Sequence, residues 1–135
     1  MNIIDLNIVK AKLIEVREKK VLLDFDVAEI YGVETKRINE AVKNNPDKYP
    51  NDYIISMDEM ELENLRSKIS TTKLSKTRVA PKAFTEKGLY MLATILKSRQ
   101  ATQTTIAIIE TFSKVRELTQ TVNILSTNPE KEEQK

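Results

Sequence analysis

Between Asp24 and Lys43 (DFDVAEIYGVETKRINEAVK) apolar positions recur at helical spacing, stop at one glycine, and recur again. Val27, Ala28 and Tyr31 share one face of a first helical pattern, and Ile38, Ala41 and Val42 share one face of a second. Gly32 can take the left-handed conformation that ends a helix without a Cβ clash, and Val33 follows as an apolar plug. Asp24 or Asp26 is placed to cap the first helix, and Thr35 the second. Small Ala28, the corner at Gly32 and the locking Ile38 follow the spacing of a helix-turn-helix. The outer face of the second helix then carries Lys36, Arg37, Asn39, Glu40 and Lys43. An ordinary helical corner with a solvated polar face has the same pattern.

On the N-terminal side, Leu13–Arg17 and Val21–Leu23 are short β-prone runs around Glu18-Lys19-Lys20, which predicts a hairpin. After the corner, Pro46 stops the second helix near Asn44 or Asn45. Tyr53–Met57 reads as a short strand, and Asp58 with Glu61 as a capping box opening a helix to about Arg66, with Met60, Leu62 and Leu65 inward. Residues 67–80 have no sustained period and read as a loop closed by Pro81. Thr85 is the expected N-cap of the next helix, with Leu89, Leu92, Ala93 and Leu96 inward; Gly88 in its first turn implies close packing. Ser98 caps a final helix over 98–127, whose apolar line Ile108, Phe112, Val115, Leu118, Val122 and Leu125 advances like a heptad seam. Residues 128–135, all polar apart from Pro129, read as a disordered tail. The expected architecture is α+β, mostly helical, with an N-terminal hairpin or small sheet, a helix-turn-helix and a long C-terminal helix. Residues 1–127 form a single domain in this reading.

Composition narrows the chemistry. The 135 residues contain no Cys and no His, which removes zinc fingers and every imidazole or thiol nucleophile. Two glycines leave no phosphate-cradling loop, and no apolar run approaches the length of a membrane span. The start lacks the features of a signal peptide, so a cytoplasmic location is expected. Net charge is only +2, but its distribution is uneven. Residues 66–87 hold seven cations against Glu86, whereas 24–43 hold three cations and five anions. Phosphate attraction would therefore have to come largely from the basic stretch, with Lys73, Lys76 and Arg78 lying along a DNA backbone like a wing.

The runs VLLDFDVAEIYGVETKRINEAVKNN, YPNDYIISM, RVAPKAFTEKG and SRQATQTTIAIIETF, in that order, resemble the phage-derived Orf-six-N DNA-binding domain, a relative of KilA-N. The resemblance covers about residues 13–117. It implies a duplex-DNA-binding module of phages and prophages, in proteins acting as transcriptional regulators or antirepressors, and thus association with the bacterial nucleoid. On this reading Thr35, Lys36, Arg37, Asn39, Glu40 and Lys43 face a groove. The expected assembly is a homodimer through Leu118, Val122 and Leu125, since exposed that strip would be costly. No cofactor, metal or membrane partner is expected, and no catalysis. Two other functions compete with it. The final helix could serve a protein-interaction module that binds a repressor or polymerase. Alternatively, Asp24, Asp26 and Glu29, or Glu59, Glu61 and Glu63, could hold Mg²⁺ in a DNA-processing enzyme.

Overall fold

The computed structural model describes residues 6–68 and 80–133, with side chains for 7–68 and 80–118. The chain runs α1 (Leu6–Lys12), β1 (Ile14–Val16), β2 (Lys19–Leu23), α2 (Asp24–Tyr31), α3 (Thr35–Lys43), a 3₁₀ turn (Pro46–Lys48), β3 (Ile54–Ser56), α4 (Glu59–Lys68), β4 (Lys82–Phe84), α5 (Glu86–Leu92) and α6 (Arg99–Glu133). The α+β expectation holds. Among the described residues, no helix is long and apolar enough to cross a membrane.

The hairpin forms without the glycine or asparagine that its tight loop would favour. Val16 stands opposite Lys19, so only Arg17 and Glu18 turn the chain, both with positive φ (53° and 65°). Arg17 is held in that conformation from outside. Its guanidinium donates to both carboxylate oxygens of Glu61 at 2.7 and 2.8 Å and to the Ser56 carbonyl at 3.3 Å. Glu61 also closes the expected capping box: its backbone N–H donates to Asp58 (2.8 Å) and its carboxylate accepts from the Asp58 N–H (3.0 Å).

The expected hairpin is half of a four-stranded antiparallel sheet ordered β1-β2-β4-β3. Its interior strand β4 carries no strand signal of its own; in the sequence, residues 82–84 read as the approach to a helix. β4 closes the sheet because Leu22 pairs with Phe84 on one side and Ile54 with Phe84 on the other. Alternation then sends side chains to two cores. Leu22 and Phe84 join the cluster with Val27, Ile30, Ile38, Leu89, Leu92 and Ile108. Val21, Leu23, Ala83 and Ile55 join Leu62 and Leu65 of α4 on the other face. Burial on both faces is why β2 reads as an unbroken apolar run rather than an alternating one.

Several local expectations are corrected. Asp24 does not cap α2; the N-cap is Leu23, with no side-chain bond, and the Asp24 carboxylate instead accepts the Lys82 N–H of β4 at 3.3 Å. Thr35 is the first residue of α3, behind an uncapped Glu34. Met60 is 82% exposed, because α4 turns Leu62 and Leu65 to the sheet. Helix α4 runs two residues past Arg66, to Lys68. Helix α6 continues to Glu133, through most of the expected tail, where Glu130–Glu133 are good helix formers. Ser98 does cap it, accepting the Ala101 N–H at 3.0 Å.

The Arg17 pair and the Asp58 N–H hold the Glu61 carboxyl down at about 2. A depressed carboxyl contributes stability that is complete above its ordinary range and disappears as pH falls through about 2. Glu61→Gln should therefore destabilise the protein near neutrality and flatten this part of the loss between pH 5 and 2, as followed by urea denaturation at stepped pH.

Candidate nucleic-acid interface

The α2–α3 corner is built by a Schellman closure. Gly32 sits at φ 71°, ψ 33°, its N–H donating to Glu29 O (3.2 Å), while Val33 N–H donates to Ala28 O (3.0 Å). Ile38 and Ala41 are buried against Ala28 and Tyr31 in the larger core. These contacts fix which face of α3 looks outward. Lys36, Arg37, Glu40 and Lys43 are exposed, and among the described residues none of them forms an ion pair.

Thr35 is half-buried at the helix start. Asn39, expected to point outward, is also half-buried; its Oδ1 is enclosed without a hydrogen-bond partner. It follows Ile38 by one residue and so lies on the edge of the packed face, at the margin of the outer one. Lys73, Lys76 and Arg78 lie outside the described residues. Leu118 is 55% exposed, while the side chains of Val122 and Leu125 lie beyond those described, on α6.

The structure changes the charge balance that the residue count suggested. Asp24 is buried and bonded to the β4 backbone. Asp26 and Glu29 both approach Lys12 of α1, at 3.6 and 3.4 Å. All three carboxylates thus have partners, two of them the same Lys12, and among the described residues no group of three acids is placed to hold a metal ion. What remains around α3 is Lys36, Arg37 and Lys43 against Glu34 and Glu40.

Residues the sequence did not single out complete this surface. The Gln100 side chain of α6 lies against Gly32: a Cβ added there would meet its Nε2 at 2.7 Å. Arg99 precedes it in the first turn of α6, and Lys97 lies near the end of the α5–α6 connection; both are exposed. Lys48, after α3, donates to Thr94 of the same connection at 2.7 Å. Behind the corner, Tyr31 OH bonds Thr105 Oγ1 at 2.8 Å, and burial raises the Tyr31 and Tyr49 hydroxyls, so both stay neutral. The final helix therefore anchors the corner from behind through Thr105 and brings Gln100 to its turn. Only tertiary contact reveals this, since nearly seventy residues separate Gly32 from Gln100.

A family model for the ORF6N domain matches residues 11–95, well over half of the chain. No curated protein and no solved structure matches it.

Proposed function

The chain belongs to the ORF6N domain family, and from that premise we propose that it binds duplex DNA through the α2–α3 corner used as a helix-turn-helix, serving a phage-type transcriptional regulator or antirepressor. The observation that carries this reading is the outer face of α3: three exposed cations that form no ion pair among the described residues, on a helix seated by Ile38 and Ala41. Unpaired cations on a held element suit phosphates and guanine edges, because no internal partner has to be given up on binding. Lys36 and Arg37 take the groove, with Glu40 and Lys43 beside them and Thr35 near the backbone. Asn39 contributes at the margin. Arg99, Lys97 and Lys48 add phosphate contacts from the flank.

The protein acts as a homodimer on this reading. One corner with few cations makes few phosphate contacts and would bind weakly at physiological salt, whereas two corners on a twofold axis read half-sites about one helical turn apart. Leu118, Val122 and Leu125 supply the seam. Selection of duplexes from a random pool with the purified protein tests the reading: enrichment of a two-part site supports it, and recovery of unselected sequences at every salt concentration sinks it.

The basic segment supplies affinity without sequence preference. Neutralising Lys73, Lys76 and Arg78 together should weaken selected and random duplexes alike. The slope of log K against log salt should fall by roughly one unit for each phosphate that is no longer bound. An unchanged slope in fluorescence anisotropy titrations would return the segment to a solvated connection.

A further inference from the structure

The α2–α3 corner carries cations that suit phosphates and guanine, but none of its own amides is placed to read adenine where α3 begins. Adenine offers the N7 acceptor and the N6 amino donor on one edge, the pattern matched by the amide of Asn or Gln. Lys36, Arg37 and Lys43 only donate, and ionised Glu40 only accepts. Asn39 has its Oδ1 enclosed without a partner, so from where it sits it cannot present both amide atoms to a base. The Asn45 amide donates to the Ala41 carbonyl at 2.9 Å, and Asn44 caps the far end of α3.

The amide at the near end comes from α6. Gln100 lies against Gly32, where a Cβ would meet its Nε2 at 2.7 Å and its Oε1 at 3.9 Å. Gly32 thus serves twice: it adopts a φ of 71°, and it leaves the space that the amide occupies. Three residues separate it from Thr35, the first residue of α3, a span of at most about 11 Å. In a helix-turn-helix that end of the second helix meets base edges. Gln100 is exposed, and its side chain forms no hydrogen bond among the described residues. Its backbone is held from both sides. Ser98 accepts the Ala101 N–H at 3.0 Å, and Thr105, five residues on, bonds Tyr31 of α2 at 2.8 Å. Such an amide gives up no internal bond on meeting a base, and little backbone remains to be ordered.

We infer that Gln100 is the adenine-reading residue of this corner, its Oε1 accepting from N6 and its Nε2 donating to N7. This rests on the duplex-binding reading above and assigns α6 a base contact in addition to phosphate contacts. Sequence is then read by two separate segments, with α3 supplying the cations and α6 the amide.

The test uses a duplex selected from a random pool, with 7-deazaadenine replacing adenine one position at a time so that only the N7 acceptor is removed. The parent protein should lose about tenfold in affinity at one adenine of the recognised site. Gln100→Ala should bind the unmodified site about tenfold more weakly, with its affinity for a scrambled duplex, its salt slope and its urea midpoint unchanged. It should lose nothing further on 7-deazaadenine at that position. Gln100→Glu, of the same length but only an acceptor, should also be indifferent there, whereas Asn39→Ala should keep the parent's penalty. The inference is overturned if Gln100→Ala weakens selected and scrambled duplexes equally, if it keeps the full penalty, or if the parent is indifferent at every adenine. In each of those cases selective duplex binding by the corner still stands. A pool that yields no preferred site instead removes the duplex-reading function itself, and the role of Gln100 with it.

Discussion

Gly88→Ala is expected to unfold the domain or bring it close to unfolding. A Cβ on Gly88 would stand 2.1 Å from the Tyr53 carbonyl oxygen, more than 1 Å inside ordinary contact. That oxygen is backbone, and it cannot swing aside. It accepts the Thr85 N–H at 3.2 Å and the Thr85 hydroxyl at 3.0 Å, and the same hydroxyl reaches the Asp52 carbonyl at 2.8 Å and accepts the Gly88 N–H. Any retreat of α5 therefore breaks the cap that starts it and pulls Phe84 and Leu89, both fully buried, out of the larger core. Overpacking against fixed backbone with loss of these bonds should cost about 3–5 kcal/mol, a large share of a small domain's stability. Gly32→Ala is the natural control. There the obstacle is the end of the flexible Gln100 side chain, and the cost is mainly that of a left-handed alanine, about 1–2 kcal/mol. Urea denaturation of both variants checks the ranking: equal losses would mean that the Tyr53 carbonyl yields.

Gly88 also shows how far local chemistry reaches. A glycine in the first turn of a helix is unfavourable locally, so its presence implies a close neighbour. The caps at Thr85 and Ser98 and the Asp58–Glu61 pair are legible for the same local reason. The corner at Gly32 is legible because a Schellman closure needs only one glycine and one apolar residue after it. The departures from the sequence reading share a different cause. Asp24 resembles a cap because its true partner, the Lys82 N–H, sits on β4, and β4 is three residues long with a helix signal directly after it. Met60 and Asn39 differ from expectation because the rotation of a short helix is set by what it packs against. Leu62 and Leu65 on the sheet, and Ile38 and Ala41 on α2, turn those helices slightly from the face that spacing suggests. Gln100 reads only as part of a helix start, and its position beside Gly32 depends on how α6 crosses behind the corner.

Replacing Lys36, Arg37 and Lys43 with alanine together should abolish selective DNA binding while leaving the fold intact. All three are exposed and form no ion pair among the described residues, so the substitutions disturb no packed interior, and alanine raises helix propensity if anything. The loss in binding has two parts that separate experimentally. A bidentate arginine–guanine contact is worth about 1–3 kcal/mol of discrimination, and each phosphate contact removed should lower the salt slope by about 0.9. Arg99→Ala, on the flank, removes only the second kind: it should weaken chosen and scrambled duplexes by the same factor. The comparison decides whether α3 reads bases or merely adds charge. If the triple variant keeps its preference for a selected site over a scrambled one, α3 is not the reading element, and the recognition surface has to be sought elsewhere on the domain. If it loses preference and affinity together while its urea midpoint matches that of the parent protein, the outer face of α3 carries the sequence reading and Arg99 the backbone grip.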